Sequence, residues 1–190
     1  DGTPRWICNA KSRKPYFLKF YSVQTLRSKI FAYTLHLIYF FRFQKLVFKT
    51  VQISFAPSEE NSKGVIDISL NNWAIFTGTV GPNNKILIYE KCEDSNNFYK
   101  VANSIKSQEL IENEETVIRK LTTLNPSTFV YPKAQRIGER TIKLTDLSNL
   151  GVREPQFGQL HQQALGELYD KTSYETNTSD LPIFNQCKEL

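Results

Sequence analysis

Between residues 65 and 102 apolar and polar positions alternate with a period of two. The runs VIDISL, WAIF (Trp73–Phe76), KILIYEK (Lys85–Lys91) and FYKVA (98–102) are short, and the clusters GTVGPNN and CEDSNN separate the last three. Half-buried strands alternate in this way, and Gly, Asn and Asp between them are hairpin signals. The period then changes. Over residues 107–121 Leu110, Ile111, Val117, Ile118 and Leu121 recur at helical spacing, which predicts an amphipathic helix with Ser107 as its N-cap. Two more strands follow, residues 134–137 and TIKLTDL (141–147), joined by a turn at GER. A last helix is predicted over QFGQLHQQALGELYDK, with Leu160, Ala164, Leu165 and Leu168 on one face. The expected class is α+β: a five-stranded antiparallel sheet with one long helix, preceded by a basic helical extension.

That extension, residues 1–57, has a different texture. Aromatic and basic residues interleave in RKPYFLKFYS and LRSKIFAYTLHLIYFFRFQKLVFK. A helix is expected over 23–45, then a strand in LVFKTVQISF. The polar, turn-rich stretch APSEENSKG, 56–64, marks a domain boundary. Three segments result: an extension 1–57, a lobe 58–172, and residues 173–190, which resemble the opening of a further lobe.

Composition narrows the classes. With 40% hydrophobic and 13% aromatic residues the chain can bury a core and is not generally disordered. The longest apolar run, IFAYTLHLIYFF, has twelve residues and is flanked by Arg27, Lys29, Arg42 and Lys45. A bilayer span needs ~20. Nothing resembles a signal peptide, and Cys8, Cys92 and Cys187 are isolated, so free thiols and a cytoplasmic location, peripheral to a membrane at most, are expected. Charge is lopsided. Residues 1–57 carry ten Lys/Arg against Asp1 alone, and residues 58–190 carry fourteen against eighteen acids. Three readings compete for the extension: packing on the lobe, lying on an anionic membrane surface, or binding nucleic acid. No RNP, zinc-finger or GXXG motif accompanies the basic residues, so nucleic acid is not an expected partner.

One residue breaks the helical pattern of 107–121. Glu114, four after Leu110 and four before Ile118, stands where the stripe requires an apolar side chain. A carboxylate on a buried face needs a cation. Lys100, in the strand before the helix and on the face opposite Tyr99 and Val101, is the candidate. Glu115 falls on the exposed face. The pair would fix an ammonium at the mouth of the glycine hairpin, where it could hold phosphate oxygens.

Residues 66–172 resemble the N-terminal lobe of the protein-kinase-like superfamily, in the form found in aminoglycoside, choline and lipopolysaccharide-core kinases. The resemblance rests on IFTGTVGPNNKILIYEK, FYKVA, LIENEETVIRKL and TIKLTDL. It implies an ATP-binding lobe of a phosphotransferase whose acceptor is a small molecule or glycan. Lys100 would hold the nucleotide phosphates and pair with Glu114; Gly78, Thr79 and Gly81 would form the phosphate-covering turn. The backbone of Thr145, Asp146 and Leu147 would meet adenine at a hinge. The match is incomplete: the turn has two glycines and a proline, and no H-G-D, H-R-D or D-F-G motif supplies a base or magnesium ligands. The alternative is a non-catalytic binding module that docks a partner or membrane through residues 1–57. His36 and His161 have no catalytic or metal-binding company at useful spacing and read as core or surface residues.

Overall fold

The hairpin formed by KILIYEK and NNFYKVA pairs along its whole length and is the centre of the molecule. The computed structural model describes residues 4–51, 72–79, 81–93, 95–148, 150 and 156–173. The linker 56–64, the run VIDISL, Cys187 and the segment after Ser173 lie outside the described residues. Among the described residues six strands make one antiparallel sheet: β1 (Trp6–Cys8), β2 (Trp73–Phe76), β3 (Lys85–Lys91), β4 (Asn96–Ala102), β5 (Ala134–Gly138) and β6 (Thr141–Thr145). Their lateral order is β1-β2-β3-β4-β6-β5. The class is α+β as expected, but among the described residues the sheet has six strands where five were expected. The extra strand is β1, three residues from the extension whose Trp6 pairs with Phe76 and Cys8 with Ala74. Three residues are too few to show a period, so the alternation that revealed the other strands was absent here.

Alternate residues of β4 point to opposite sides, so Phe98, Lys100 and Ala102 share one face. Register brings Leu87 and Ile142 beside Lys100. On that face Ala102, Ile142 and Leu144 form a core with Ile111 and Ile118 of α3 (Ile105–Leu124). The helix begins earlier than expected. Ser104 is its N-cap, accepting the Ser107 N–H at 3.1 Å, while Ser107 Oγ accepts the Ser104 N–H at 2.9 Å. Ser107 is thus the inner member of a reciprocal capping box. At the other end Asn125 takes a left-handed φ of 46°, which an Asn C-cap tolerates.

The helix is also rolled about its axis relative to the apolar stripe. Ser107, Ile111 and Ile118 are buried, whereas Leu110 and Val117 are exposed. Glu115 is turned inward and not outward as expected. Arg136 of β5 reaches it at 3.2 Å and Glu112 at 3.3 Å, and Arg119 adds a bond at 2.6 Å. Ion pairing from β5 therefore fixes a helix phase that apolar spacing alone misplaces.

The extension is not one helix. A 3-10 helix (Tyr16–Phe20) precedes α1 (Leu26–Phe40) and a single turn, α2 (Gln44–Val47). The expected strand LVFKTVQISF fails over its described part: Leu46 and Val47 are helical, and residues 48–51 form no strand. Phe17, Leu35 and Tyr39 bury with Ala74 of β2, so the extension shares a core with the sheet. The last helix, α4 (Gln159–Thr172), leaves Leu160 and Leu165 exposed. It is anchored by polar contacts: Glu167 accepts from the N–H and hydroxyl of both Ser127 and Thr128, at 2.6–3.1 Å, and pairs with Lys171 at 3.0 Å. The Thr128 hydroxyl, then those amides, hold its carboxyl well below the usual carboxylate range.

A shared core has a measurable consequence. Phe17→Ala should lower unfolding stability by about 3–5 kcal/mol in urea titration. A cost below about 0.5 kcal/mol, as for a surface change, would mean that the extension is an appendage.

Candidate functional site

Lys100 and Glu114 meet. Lys100 Nζ donates to Glu114 Oε1, with both side chains about three-quarters buried. The reason lies in sheet geometry: the period of β4 turns Lys100 to the side that α3 covers, and Glu114 is the α3 residue above it. Neither charge sits in the apolar centre of that face, which Ile111 and Ile142 fill. The pair occupies its margin, where water still reaches both groups.

Beside the pair, β2 and β3 are joined by the turn that carries Gly78, Thr79 and Gly81. Gly78 has φ +84°. A β-carbon there would collide with Asn84 Oδ1 and stand 2.6 Å from the Lys85 carbonyl oxygen, so only glycine fits without displacement. Gly81 also has positive φ, at 155°, but faces open space. The turn is tied to the helix it faces, because the Ser104 hydroxyl donates to the Pro82 carbonyl. Phe76, Gly78, Thr79, Asn83, Lys85, Leu87 and Lys100 line an open cleft of about 240 Å³. Lys85 was not among the expected site residues. Its signal was its place two residues before Leu87, the partner of Lys100, which puts both ammonium groups on one face.

The other expected residues, Thr145, Asp146 and Leu147, lie at the far end of β4. Their backbone is largely committed to the protein itself. The Thr145 N–H donates to Lys133 O at 3.1 Å, the Asp146 N–H to Asn96 O at 2.8 Å, and the Leu147 carbonyl accepts from Leu150. The Asp146 carboxylate accepts from Ser148 N and Oγ, each at 2.9 Å, and from Lys19 Nζ at 3.2 Å. Burial works to raise its pKa, but those three donors outweigh it and hold the group below the usual value. The face between Lys100 and this hinge passes over Phe98, and the extension covers it. The Phe20 ring lies 6.0 Å from Phe98 and 6.2 Å from Phe76; Tyr16 lies 5.8 Å from Tyr89. Lys19 stacks over the same Tyr89 ring at 5.6 Å.

A nucleotide stretched from Lys100 to residues 145–147 therefore meets two different environments. The cleft with two lysines and the glycine turn fits phosphate groups. The sheet face where a base would lie is filled by the chain's own aromatic side chains, and does not fit one as it stands. Among the described residues no three His, Cys, Asp or Glu side chains converge closely enough to hold a metal ion. His161 Nδ1 accepts the Gly158 N–H at 3.2 Å at the start of α4 and stacks on Phe157, while His36 is exposed. Cys8 lies 3.2 Å from the Tyr39 hydroxyl; burial pushes its thiol up and so keeps it protonated. Compared with known proteins, the chain matches no family model, no curated protein and no solved structure.

Two stability measurements test this geometry. Gly78→Ala should cost more than Gly81→Ala, because both incur ~1–3 kcal/mol of backbone strain but only Gly78 adds a collision. Equal midpoint shifts in denaturant would show that the turn relaxes freely. A double-mutant cycle on Lys100→Ala and Glu114→Ala should give a coupling of about 0.5–1 kcal/mol, the range for an ion pair that water still reaches. Additive effects would mean that the pair is incidental.

Proposed function

We propose that the chain forms the phosphate-holding lobe of a kinase-like phosphotransferase acting on a small molecule or glycan, with ATP as donor. The observation that carries this reading is the Lys100–Glu114 pair set beside a glycine turn, in one cleft with Lys85. The order of elements supports it too: strand, glycine turn, strand, lysine strand, glutamate helix, then two strands leading to the 145–147 hinge. In this reading Glu114 fixes the rotamer of Lys100, so that its ammonium faces the cleft without searching conformations. Gly78 lets the backbone approach phosphate oxygens closely, and Thr79 offers a hydroxyl donor. The sequence carries no H-G-D, H-R-D or D-F-G motif, so the base and the magnesium ligands would come from outside this chain, and the chain by itself is expected to transfer no phosphoryl group.

A second reading is favoured by one specific observation. Phe20, Tyr16 and Lys19 occupy the face toward the hinge, which suits a degenerate lobe that serves as a docking module and holds no nucleobase.

Calorimetry with inorganic tripolyphosphate, ATP and adenosine tests the first reading and separates it from the second. Tripolyphosphate and ATP should bind with affinities within about threefold of each other and adenosine should not bind, because the base has no open seat. Lys100→Ala should weaken tripolyphosphate binding about tenfold or more, the worth of one charge-assisted contact, while Lys120→Ala on the exposed side of α3 leaves it unchanged. If tripolyphosphate fails to bind, the phosphate-holding reading falls and the docking module stands. If ATP exceeds tripolyphosphate by about thirtyfold or more, roughly 2 kcal/mol, the base has a seat and the occlusion by Phe20 is not permanent.

A further inference from the structure

Helix α1 carries two apolar stripes, and among the described residues only one of them is packed. Leu35 and Tyr39 face inward and are buried against Phe17 and the sheet. On the opposite side Leu26, Ile30, Tyr33, Leu37 and Phe40 recur at intervals of four, three, four and three residues. That is a second continuous helical stripe, and its members are 41–76% exposed. Arg27 and Lys29 flank it, both exposed.

The stripe runs into an unusual corner. At the end of α1 the Phe43 N–H donates to the Ile38 carbonyl at 2.8 Å and the Arg42 N–H to the Tyr39 carbonyl at 3.2 Å, the bonding pattern of a Schellman stop. The left-handed residue of that stop is commonly glycine, which adopts it at no steric cost. Here it is Arg42, at φ +60°. Its charge is set among Phe40, Phe41 and Phe43, whose rings touch in sequence at 5.1 and 5.9 Å. All three rings are more than half exposed, as are Leu46 and Val47 of α2.

We propose that this outer stripe and the α1–α2 corner dock on an anionic bilayer surface, with α1 lying in the headgroup plane. The occupant follows from charge and length. The charged residues that border this surface, Arg27, Lys29, Arg42 and Lys45, are all basic and exposed, and residues 2–57 contain no acidic residue, so the surface is complementary to anionic headgroups. A second copy of this chain would set one strongly basic face against another. Exposed aromatic rings beside Arg and Lys suit the interface, where the rings enter the acyl boundary and the long cationic side chains reach back to phosphate. Fifteen residues of α1 span ~22 Å, short of the ~30 Å hydrocarbon core. No helix among the described residues is long and apolar enough to cross a membrane, so the helix lies on the surface. Because the inner stripe is already packed, docking requires no folding step. The proposal is independent of the phosphate-cleft reading, since no residue is shared.

Co-sedimentation of the whole chain with vesicles provides the test, using phosphatidylcholine alone and phosphatidylcholine mixed with phosphatidylglycerol. Binding should be confined to the anionic vesicles and should fall about tenfold or more from low to high salt. An Arg42→Glu/Lys45→Glu variant should lose about tenfold or more at low salt, and Phe40→Ser/Phe41→Ser should weaken binding comparably. All four side chains are exposed, so thermal melting should stay unchanged and report retained folding. A Phe40→Trp variant should show blue-shifted emission on adding anionic vesicles alone. Equal binding to neutral vesicles, absence of binding to either kind, or indifference to both double substitutions would overturn the proposal. Concentration-dependent self-association abolished by Phe40→Ser/Phe41→Ser, without vesicle binding, would overturn it in favour of a second copy.

Discussion

A sheet face that carries Trp6, Ala74, Phe76, Phe98, Ile142 and Leu144 cannot stay wet, and the need to cover it organises the rest of the molecule. Two unlike covers share the work. Over β4, β6 and β5 lies α3, with Ile111 and Ile118 as its contacts. Over β1, β2 and part of β3 lies the aromatic segment around Phe17, with Leu35 and Tyr39 behind it. Neither cover reaches the corner beside the glycine turn. Charged groups can stay partly hydrated only at such a margin, and that is where Lys100, Glu114 and Lys85 are found.

The same division explains the ionic pattern on α3. Two cations rise from the sheet beneath it, Lys100 from β4 and Arg136 from β5, and each meets carboxylates on the helix. Apolar contact sets the distance between helix and sheet, but a row of isoleucines tolerates some roll. The ion pairs remove that freedom. They act as registers more than as sources of stability, since partly exposed pairs contribute little net free energy.

The N-terminal segment is structural on one side and unsatisfied on the other. Its inner stripe completes the core, and Lys19 ties it across to Asp146 near the hinge. Its outer stripe buries nothing in the described molecule. A helix that needed only to cover the sheet would carry polar residues there, and the concentration of positive charge on this one segment follows no requirement of the core.

Much of the fold was legible in the sequence where the pattern was long and local. WAIF and KILIYEK are strands at the expected bounds, because short runs rich in β-branched and aromatic residues between turn residues admit few other conformations. The Lys100–Glu114 pair was legible because Glu114 interrupts the apolar spacing while Lys100 projects toward the same helix from the strand before it, even though the stripe's phase was misplaced and both groups lie at the hydrated margin. Short or long-range features were not. β1 is three residues whose pairing with β2 is made across more than sixty positions. The choice of Ser104 over Ser107 as N-cap depends on side-chain bonds that both serines could offer. Glu115 of α3 is turned inward toward Arg136, which lies twenty-one residues ahead on β5. Packing on the lobe was one of three readings left open for the aromatic extension; the sequence did not say where it would pack, and it came to rest on the face expected to receive a base. Local periodicity determines which side of an element is apolar; what meets that side is decided by the competition among distant segments to cover it.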